Sequence, residues 1–144
     1  MYTYKYPHPA VAADCLVFGH KDGETFLLLI QRKNEPCKGQ WAFPGGFMNI
    51  DETADDAARR ELKEETGLIV TDVHQVGAFT AVNRDPRERV LSISYYADVE
   101  GTPDVNGADD ARKAQWFPLS DLPQLAFDHA EILQRAILLR QKGI

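Results

Sequence analysis

A chain of 144 residues with 44% hydrophobic and 26% charged residues is expected to fold as a single domain, residues 1–144, with a substantial core. No apolar run approaches the roughly 20 residues that cross a bilayer, and the start MYTYKYPHPA lacks the apolar segment of a signal peptide, so we expect no membrane association and a cytoplasmic location. The net charge of −6, without a clustered basic patch, argues against nucleic acid as a partner.

The first elements are predicted to be strands. Residues 10–18 and 25–31 are rich in strand formers, and the Asp22-Gly23 turn signal between them predicts a hairpin. A loop punctuated by Pro and Gly follows, and then the short apolar piece WAF at 41–43. It runs into PGGFM at 44–48, where two glycines allow a tight turn or close approach of the backbone to a ligand.

A helix is predicted over about 53–66. Thr53 is a suitable N-cap with Asp56 at capping-box spacing, and Gly67 suits the left-handed residue after the last turn. On a helical wheel, three alanines share a face with three glutamates that lie one to two turns further on. The small residues would let this helix pack close to a sheet and would carry the carboxylates to the rim of a cleft. The residues concerned are Ala54, Ala57, Ala58, Glu61, Glu64 and Glu65.

The second half of the chain is predicted to add strands and a final helix. Extended segments are expected near 69–80 and 89–99, joined by the charged loop VNRDPRER. Residues 100–112 have the composition of a loop, and 114–119 form a short strand. The segment 127–143, FDHAEILQRAILLRQKG, has the apolar spacing of an amphipathic helix.

The three glutamates of the first helix are crowded in a way that local stability disfavours. Like charges three and four residues apart repel by a few tenths of a kcal/mol in an isolated helix. Divalent cations would reward the crowding, because Mg²⁺ prefers oxygen ligands and combines one or two carboxylates with substrate phosphates. The alternative is a solvated charged face with pairs such as Arg60 with Glu64.

The spacing of these residues matches a known motif. Gly46, Glu52, Arg60-Glu61-Leu62, Glu64-Glu65 and Gly67-Leu68 fill every defined position of GX5EX7REUXEEXGU, and the stretch therefore resembles the Nudix box. The resemblance implies an α/β fold of the Nudix type, an α/β/α sandwich with a mixed β-sheet between helices. It also implies an enzyme that hydrolyses a nucleoside diphosphate linked to another group, with Mg²⁺ or Mn²⁺ as cofactor.

The resemblance also implies roles for individual residues. Three residues would be metal ligands, one of them acting as the general base: Glu61, Glu64 and Glu65. The carbonyl of Gly46 would add a ligand, while Arg60 and Glu52 would pair to hold the motif in shape. Asp109 and Asp110 stand where many family members supply a further acid to the metal site, and a turn-forming role is an equal alternative.

The stretch from Gly77 to Val99 is expected to select the substrate. Arg84 and Arg87 suit a second anionic group, because the guanidinium fork binds phosphate oxygens in pairs. Phe79 and Tyr96 are candidates for stacking on a base, although Tyr95 and Tyr96 must point to opposite faces of a strand. The alternative is an ordinary surface turn with the tyrosines in the core.

This stretch, together with LAFDH at 125–129, resembles the ADP-ribose pyrophosphatase branch of the family, which implies cleavage of ADP-ribose to AMP and ribose 5-phosphate and a possible homodimer. Val82 and Asn83 stand where that branch commonly has a proline. The alternatives are hydrolysis of a nucleoside triphosphate or dinucleotide, and a non-catalytic nucleotide sensor. The end of the chain at Ile144 and the retained glutamates argue against the sensor. His129 is expected to cap or pack the last helix.

Overall fold

The structure is a computed structural model that describes residues 2–106 and 113–143. Within these residues it contains one sheet of seven strands and two α-helices. The elements in chain order are β1 (Ala10–Lys21), β2 (Glu24–Gln31), β3 (Trp41–Ala42), β4 (Gly45–Phe47), α1 (Ala54–Thr66), β5 (His74–Phe79), β6 (Val90–Glu100), β7 (Ala114–Pro118) and α2 (His129–Gln141).

The sheet is mixed, as expected. Its strand order is β3-β2-β1-β6-β5, with β4 paired to β1 and β7 paired to β2. The long central strands β1 and β6 run parallel, and the other pairs are antiparallel. The predicted hairpin is confirmed: Lys21 pairs with Glu24 around a turn in which both Asp22 (φ 53°) and Gly23 (φ 77°) adopt positive φ, as a type I′ turn requires.

The two helices cover opposite faces of the sheet, because alternate residues of β1 belong to different halves of the core. Cys15 and Val17 pack in the cluster that contains the buried residues of α1. Leu16 and Phe18 pack with the buried residues of α2. Tyr95 and Tyr96 divide in the same way, so their predicted opposite orientation is confirmed. The result is the expected sandwich of a mixed sheet between helices.

Helix α1 begins and ends where the sequence predicted. The Thr53 side chain accepts a hydrogen bond from the Asp56 amide (3.4 Å), and Gly67 adopts φ 79° while its amide donates to the Lys63 carbonyl (2.9 Å). Ala57 and Ala58 are fully buried. The small side chains bring the helix axis close to the sheet, and Glu61 and Glu65, further along the helix, lie against Gly46 and Gly45 of β4.

One predicted strand is shorter than expected, and part of the predicted loop lies outside the residues that the structure describes. The extended segment expected over 69–80 is a strand only from His74, because Leu68, Val70 and Val73 pack against the α1 side of the core instead of pairing with a neighbour. Residues 101–106 are irregular, as predicted. The residue pair 109 and 110 lies outside the described residues. Over the described part of the chain, no helix has the length and apolar character needed to span a membrane.

Candidate active site

A cavity of about 510 Å³ opens at one end of the sheet, where α1, β4, the loop after β5 and the start of α2 converge. Such a volume lies in the range that accommodates a small organic ligand. Carboxylates line it from β1 and α1, and arginines and aromatic rings line it from the loops and the start of α2. The cavity therefore has both anionic and cationic walls.

The anionic wall depends on two adjacent glycines. The Gly45 amide donates a 2.8 Å hydrogen bond to Oε1 of Glu65, a carboxylate that is only 3% exposed. A Cβ atom on Gly46 would lie 2.6 Å from the carboxylate carbon of Glu61, so a side chain there would displace that carboxylate. The paired glycines allow β4 to approach α1 closely enough for Glu61 and Glu65 to face the same cavity.

Arg60 connects the other acidic residues of the motif. Its guanidinium forms a bidentate pair with Glu52, at 3.0 Å from Nε and 2.6 Å from Nη2. Nη1 also donates to Glu61 (2.9 Å) and to Glu64 (3.2 Å), and Nη2 donates to the Phe47 carbonyl (3.1 Å). The bond from Arg60 holds the pKa of Glu52 below its usual value. The structure thus pairs the two residues expected to pair, and it joins β4 to α1 through them.

Asp14 on β1 also lines the cavity with its carboxylate, and it was not predicted as a site residue. It is 7% exposed and accepts a 2.5 Å hydrogen bond from the Ser92 hydroxyl on the parallel strand β6. Burial raises its pKa to about 6, opposed by the Ser92 bond and by the charge of Arg84. A lone Asp within the apolar strand AVAADCLVF resembles any buried polar residue until its neighbours across the sheet are known.

These carboxylates fit a hard divalent cation in chemistry, since Asp14, Glu61 and Glu65 offer only oxygen donors and line one cavity. Across residues 2–106 and 113–143, however, no three acidic, His or Cys side chains already converge as a metal-binding group. Glu61 holds Arg60, and Glu64 is 58% exposed and does not line the cavity. An ion bound by Glu61 would therefore lie beside the Arg60 guanidinium, which donates to Oε1 of that carboxylate.

Both predicted arginines line the cavity, but in different environments. Arg84 is buried, with a side chain only 5% exposed, and it forms a bidentate pair with Asp128 at 2.9 and 2.7 Å. Arg87 is partly exposed and is held by Asp85 at 3.1 and 2.7 Å, which lowers the pKa of Asp85. Arg84 joins the loop after β5 to α2, whereas Arg87 presents its guanidinium to the cavity.

The two aromatic residues expected at the substrate lie elsewhere. Phe79 and Tyr96 are buried in the half of the core that packs against α2, and neither lines the cavity. Both side chains point to the α2 face of the sheet, where Tyr96 meets Phe18 edge-on at 6.3 Å. The alternative, in which this tyrosine belongs to the core, is therefore the correct one for Tyr96.

Two residues just before and within the first turn of α2 line the cavity and were not predicted as site residues. Phe127 has a positive φ of 51°. His129 is 4% exposed, stacks on Phe43 with 4.4 Å between ring centroids, and accepts a hydrogen bond at Nδ1 from the Phe43 amide (3.2 Å). Burial lowers the pKa of His129 to about 3, so the ring is neutral. The expected packing role of His129 agrees with these contacts.

Comparison with known protein families identifies the origin of this site. The NUDIX domain family matches residues 8–136 of the chain. The chain belongs to the NUDIX family. The match includes all of α1 with its glutamates and the first part of α2, as far as residue 136.

Two relatives of this NUDIX chain and one solved structure have names that mention ADP-ribose. The ADP-ribose pyrophosphatase of Methanocaldococcus jannaschii is 46% identical over 129 residues, which cover 90% of this chain and 73% of the relative. The ADPR responsive transcriptional repressor NtrR of Acinetobacter baylyi is 33% identical, and the match covers 91% of this chain but only 54% of the repressor. The NUDIX domain of Shewanella oneidensis NrtR in complex with ADP ribose superimposes with a TM-score of 0.87 at 27% identity, covering 99% of this chain and 94% of that one.

Proposed function

We propose that this protein hydrolyses the pyrophosphate bond of ADP-ribose to AMP and ribose 5-phosphate, using Mg²⁺ or Mn²⁺. The observation that carries the proposal is the approach of β4 to α1, which brings Glu61 and Glu65 to one cavity beside Asp14. Support for the substrate comes from the relatives, one of which is an ADP-ribose pyrophosphatase at 46% identity. In the reaction, water adds to one phosphorus and the bridging oxygen leaves with the other phosphate.

The metal ions, when bound, would neutralise the phosphate oxygens and lower the pKa of the attacking water. The proposed ligands of the chain are the carboxylates of Glu61, Glu64 and Glu65 and the carbonyl of Gly46. The Gly45 amide donates to Oε1 of Glu65 and so fixes the orientation of this carboxylate at the wall of the cavity. Arg60, anchored by Glu52, positions Glu61 and Glu64 through its Nη1 atom. The general base is one of these three glutamates.

The cationic wall is proposed to hold the substrate. The Arg87 guanidinium is oriented by Asp85 and lines the cavity, so its charge and its planar group are available to the substrate. Arg84 is occupied by Asp128, and we assign it the positioning of the loop and of α2 in addition to its charge near the site. Phe79 and Tyr96 have no part in this proposal, because their rings are in the core.

A sensor that binds ADP-ribose without cutting it is the second candidate, favoured by the repressor relative. The chain covers about half of that repressor, so the relation concerns only part of it. Retention of all three glutamates and both glycines supports the hydrolase. Hydrolysis of a nucleoside triphosphate or dinucleotide remains the alternative substrate reading. We further propose a single domain, a cytoplasmic location and a homodimer, the last to be measured by light scattering.

The deciding experiment is product analysis with the purified protein and Mg²⁺. ADP-ribose, NADH, a diadenosine polyphosphate and several nucleoside triphosphates are incubated separately, with and without EDTA. We expect AMP and ribose 5-phosphate from ADP-ribose, abolished by EDTA and by Glu65→Gln. The matched control is Glu100→Gln, at the exposed far end of β6, which should keep full activity. Cleavage of a triphosphate in place of ADP-ribose would refute the substrate, and tight ADP-ribose binding without turnover would favour the sensor.

A further inference from the structure

The cationic wall of the cavity contains a group of three planar side chains that we call the Phe127 platform: Phe127, Arg32 and Arg87. All three line the cavity. The guanidinium carbon of Arg32 lies 4.8 Å from the Phe127 ring centroid, and that of Arg87 lies 5.8 Å from it. These distances are in the range of cation–π contacts. The platform therefore combines an aromatic ring with two flat, positively charged groups.

The chain holds this ring in place from both sides. The Ala126 amide, one residue before, donates to the Trp41 carbonyl (2.8 Å), and Asp128, one residue after, is clamped to the buried Arg84. Phe127 itself adopts a positive φ of 51°, which is uncommon for a bulky residue and persists only when the surrounding structure fixes it. The Phe127 ring thus packs against the small buried cluster of Ile30, Ala42 and Ala126 and also lines the cavity.

The guanidinium groups are fixed as well. Arg32 donates from Nε to the Pro36 carbonyl (2.8 Å), and Arg87 is held by Asp85 and also lies 5.9 Å from the Phe47 ring. Their planes are consequently presented with little freedom to reorient. A rigid set of planar groups is suited to a flat ligand part, because nucleobases stack on aromatic rings and on arginine planes.

The platform and the glutamates line different parts of the cavity, since the glutamates belong to α1 and Phe127 precedes α2 and packs against Ile30, Ala42 and Ala126. A nucleoside diphosphate with its phosphates near Glu61 and Glu65 would extend one of its two ends toward the platform. A sugar end needs hydrogen-bonding partners for its hydroxyls, whereas a base offers a π-face. The chemistry of the platform matches the base.

We propose that the Phe127 platform binds the nucleobase of the substrate and is the specificity-determining element at that end of the site. The inference rests on the proposed function for the placement of the phosphates. It adds that AMP, and not ribose 5-phosphate, is the product held by Phe127 and Arg32.

The test measures the two products separately by calorimetry in EDTA, so that neither metal nor turnover is needed. Phe127→Leu removes the ring, and Phe127→Tyr keeps it. Base stacking of the usual strength predicts an AMP affinity about five- to 150-fold weaker in the Leu variant. The Tyr variant should stay within about twofold of the unaltered protein, and ribose 5-phosphate binding should be the same in all three, on the same stacking argument.

A charge-preserving substitution separates stacking from simple attraction. Arg32→Lys keeps the positive charge and loses the planar group. A stacking role therefore predicts weaker AMP binding, whereas a purely electrostatic role predicts unchanged AMP binding. Arg140→Lys is the matched control, because Arg140 also lies over a phenylalanine ring, 4.1 Å from that of Phe18, but outside the cavity. It should leave AMP binding unchanged.

The proposal is overturned if AMP does not bind the unaltered protein at millimolar concentration, if Phe127→Leu leaves AMP affinity unchanged, or if that variant weakens ribose 5-phosphate instead. If the Leu variant does not fold, a crystal structure of the unaltered protein with AMP decides: adenine stacked on the platform supports the proposal, and adenine elsewhere refutes it. If the unaltered protein binds AMP but does not cut ADP-ribose, and Phe127→Leu weakens that binding, the platform is supported and the hydrolase is rejected.

Discussion

Neutral His129 should make the stability of this protein fall as the pH drops below neutrality. The ring is buried, stacks on Phe43 and accepts the Phe43 amide proton at Nδ1, so protonation would place an uncompensated charge in the core and remove an acceptor. Its pKa is about 3 in the folded protein, against a usual value near 6.5. Between these two values the unfolded chain binds one more proton than the folded protein at this residue.

The sign and the magnitude follow from proton linkage. Where the unfolded state binds more protons, the free energy of unfolding rises with pH, with a limiting slope of about 1.4 kcal/mol per pH unit for one site. From pH 7 to pH 5 the unfolded imidazole becomes almost fully protonated while the folded one stays neutral. His129 alone should therefore remove about 2 kcal/mol of stability over that interval.

Urea denaturation at pH 7 and pH 5 checks this value in the unaltered protein and in His129→Asn. Asparagine can still accept the Phe43 amide proton but does not titrate, and its smaller side chain lowers stability at both pH values. Other titrating groups contribute equally to both proteins, so the difference between the two pH dependences isolates His129. Equal losses of stability in the two proteins between pH 7 and pH 5 would show that the folded histidine titrates normally, and the reasoning from burial would fail.

Three further results are expected. Asp128→Ala should lower stability in urea by about 3–5 kcal/mol, because it leaves the buried Arg84 charge unpaired. The double variant Arg84→Met/Asp128→Leu should lose clearly less stability, and equal losses in the two variants would refute a buried ion pair. Asp14→Asn should raise stability at pH 7 in EDTA by about 1–3 kcal/mol. The pKa of Asp14 is about 6 in the folded protein and lower in the unfolded chain, so its ionisation lowers stability as the pH rises from the unfolded to the folded pKa. The gain from Asn should vanish by pH 4 in the same urea assay. Gly46→Ala should reduce ADP-ribose turnover at least tenfold by displacing Glu61 while shifting the melting temperature by only a few degrees, and unchanged turnover would contradict the contact of Gly46 with that carboxylate.

Local rules were sufficient for α1 and for the hairpin before it. Thr53, Gly67 and the Asp22-Gly23 turn act through hydrogen bonds and φ values within a few residues, so their effect is visible in the sequence. The Arg60–Glu52 pair was reached by a different route, from the resemblance of the motif. In both cases the interacting residues are close in the chain, so their contacts depend little on tertiary packing.

The substrate wall was harder to predict, because its geometry depends on which face of a strand opens to a cavity. Alternation placed Tyr95 and Tyr96 on opposite faces, but it could not show that α2 covers the Tyr96 face. Phe127 lies in the stretch 125–129 that was noted only for its family resemblance, and nothing in the sequence marked Asp14. One reaches the cavity through a positive φ, and the other through a serine on a strand that is distant in the chain and adjacent in the sheet.

The crowded glutamates have two explanations that the structure brings together. Arg60 places one guanidinium nitrogen within 2.9 Å of Glu61 and 3.2 Å of Glu64, so part of the repulsion between these residues is offset without any metal. The ion pair of Arg60 with Glu64 is exposed on the Glu64 side and contributes little to stability. Glu65 is different, because it is buried and accepts a hydrogen bond from the Gly45 amide. A solvated charged face gives no reason to bury Glu65 at the wall of a cavity, and a cation-binding role supplies one.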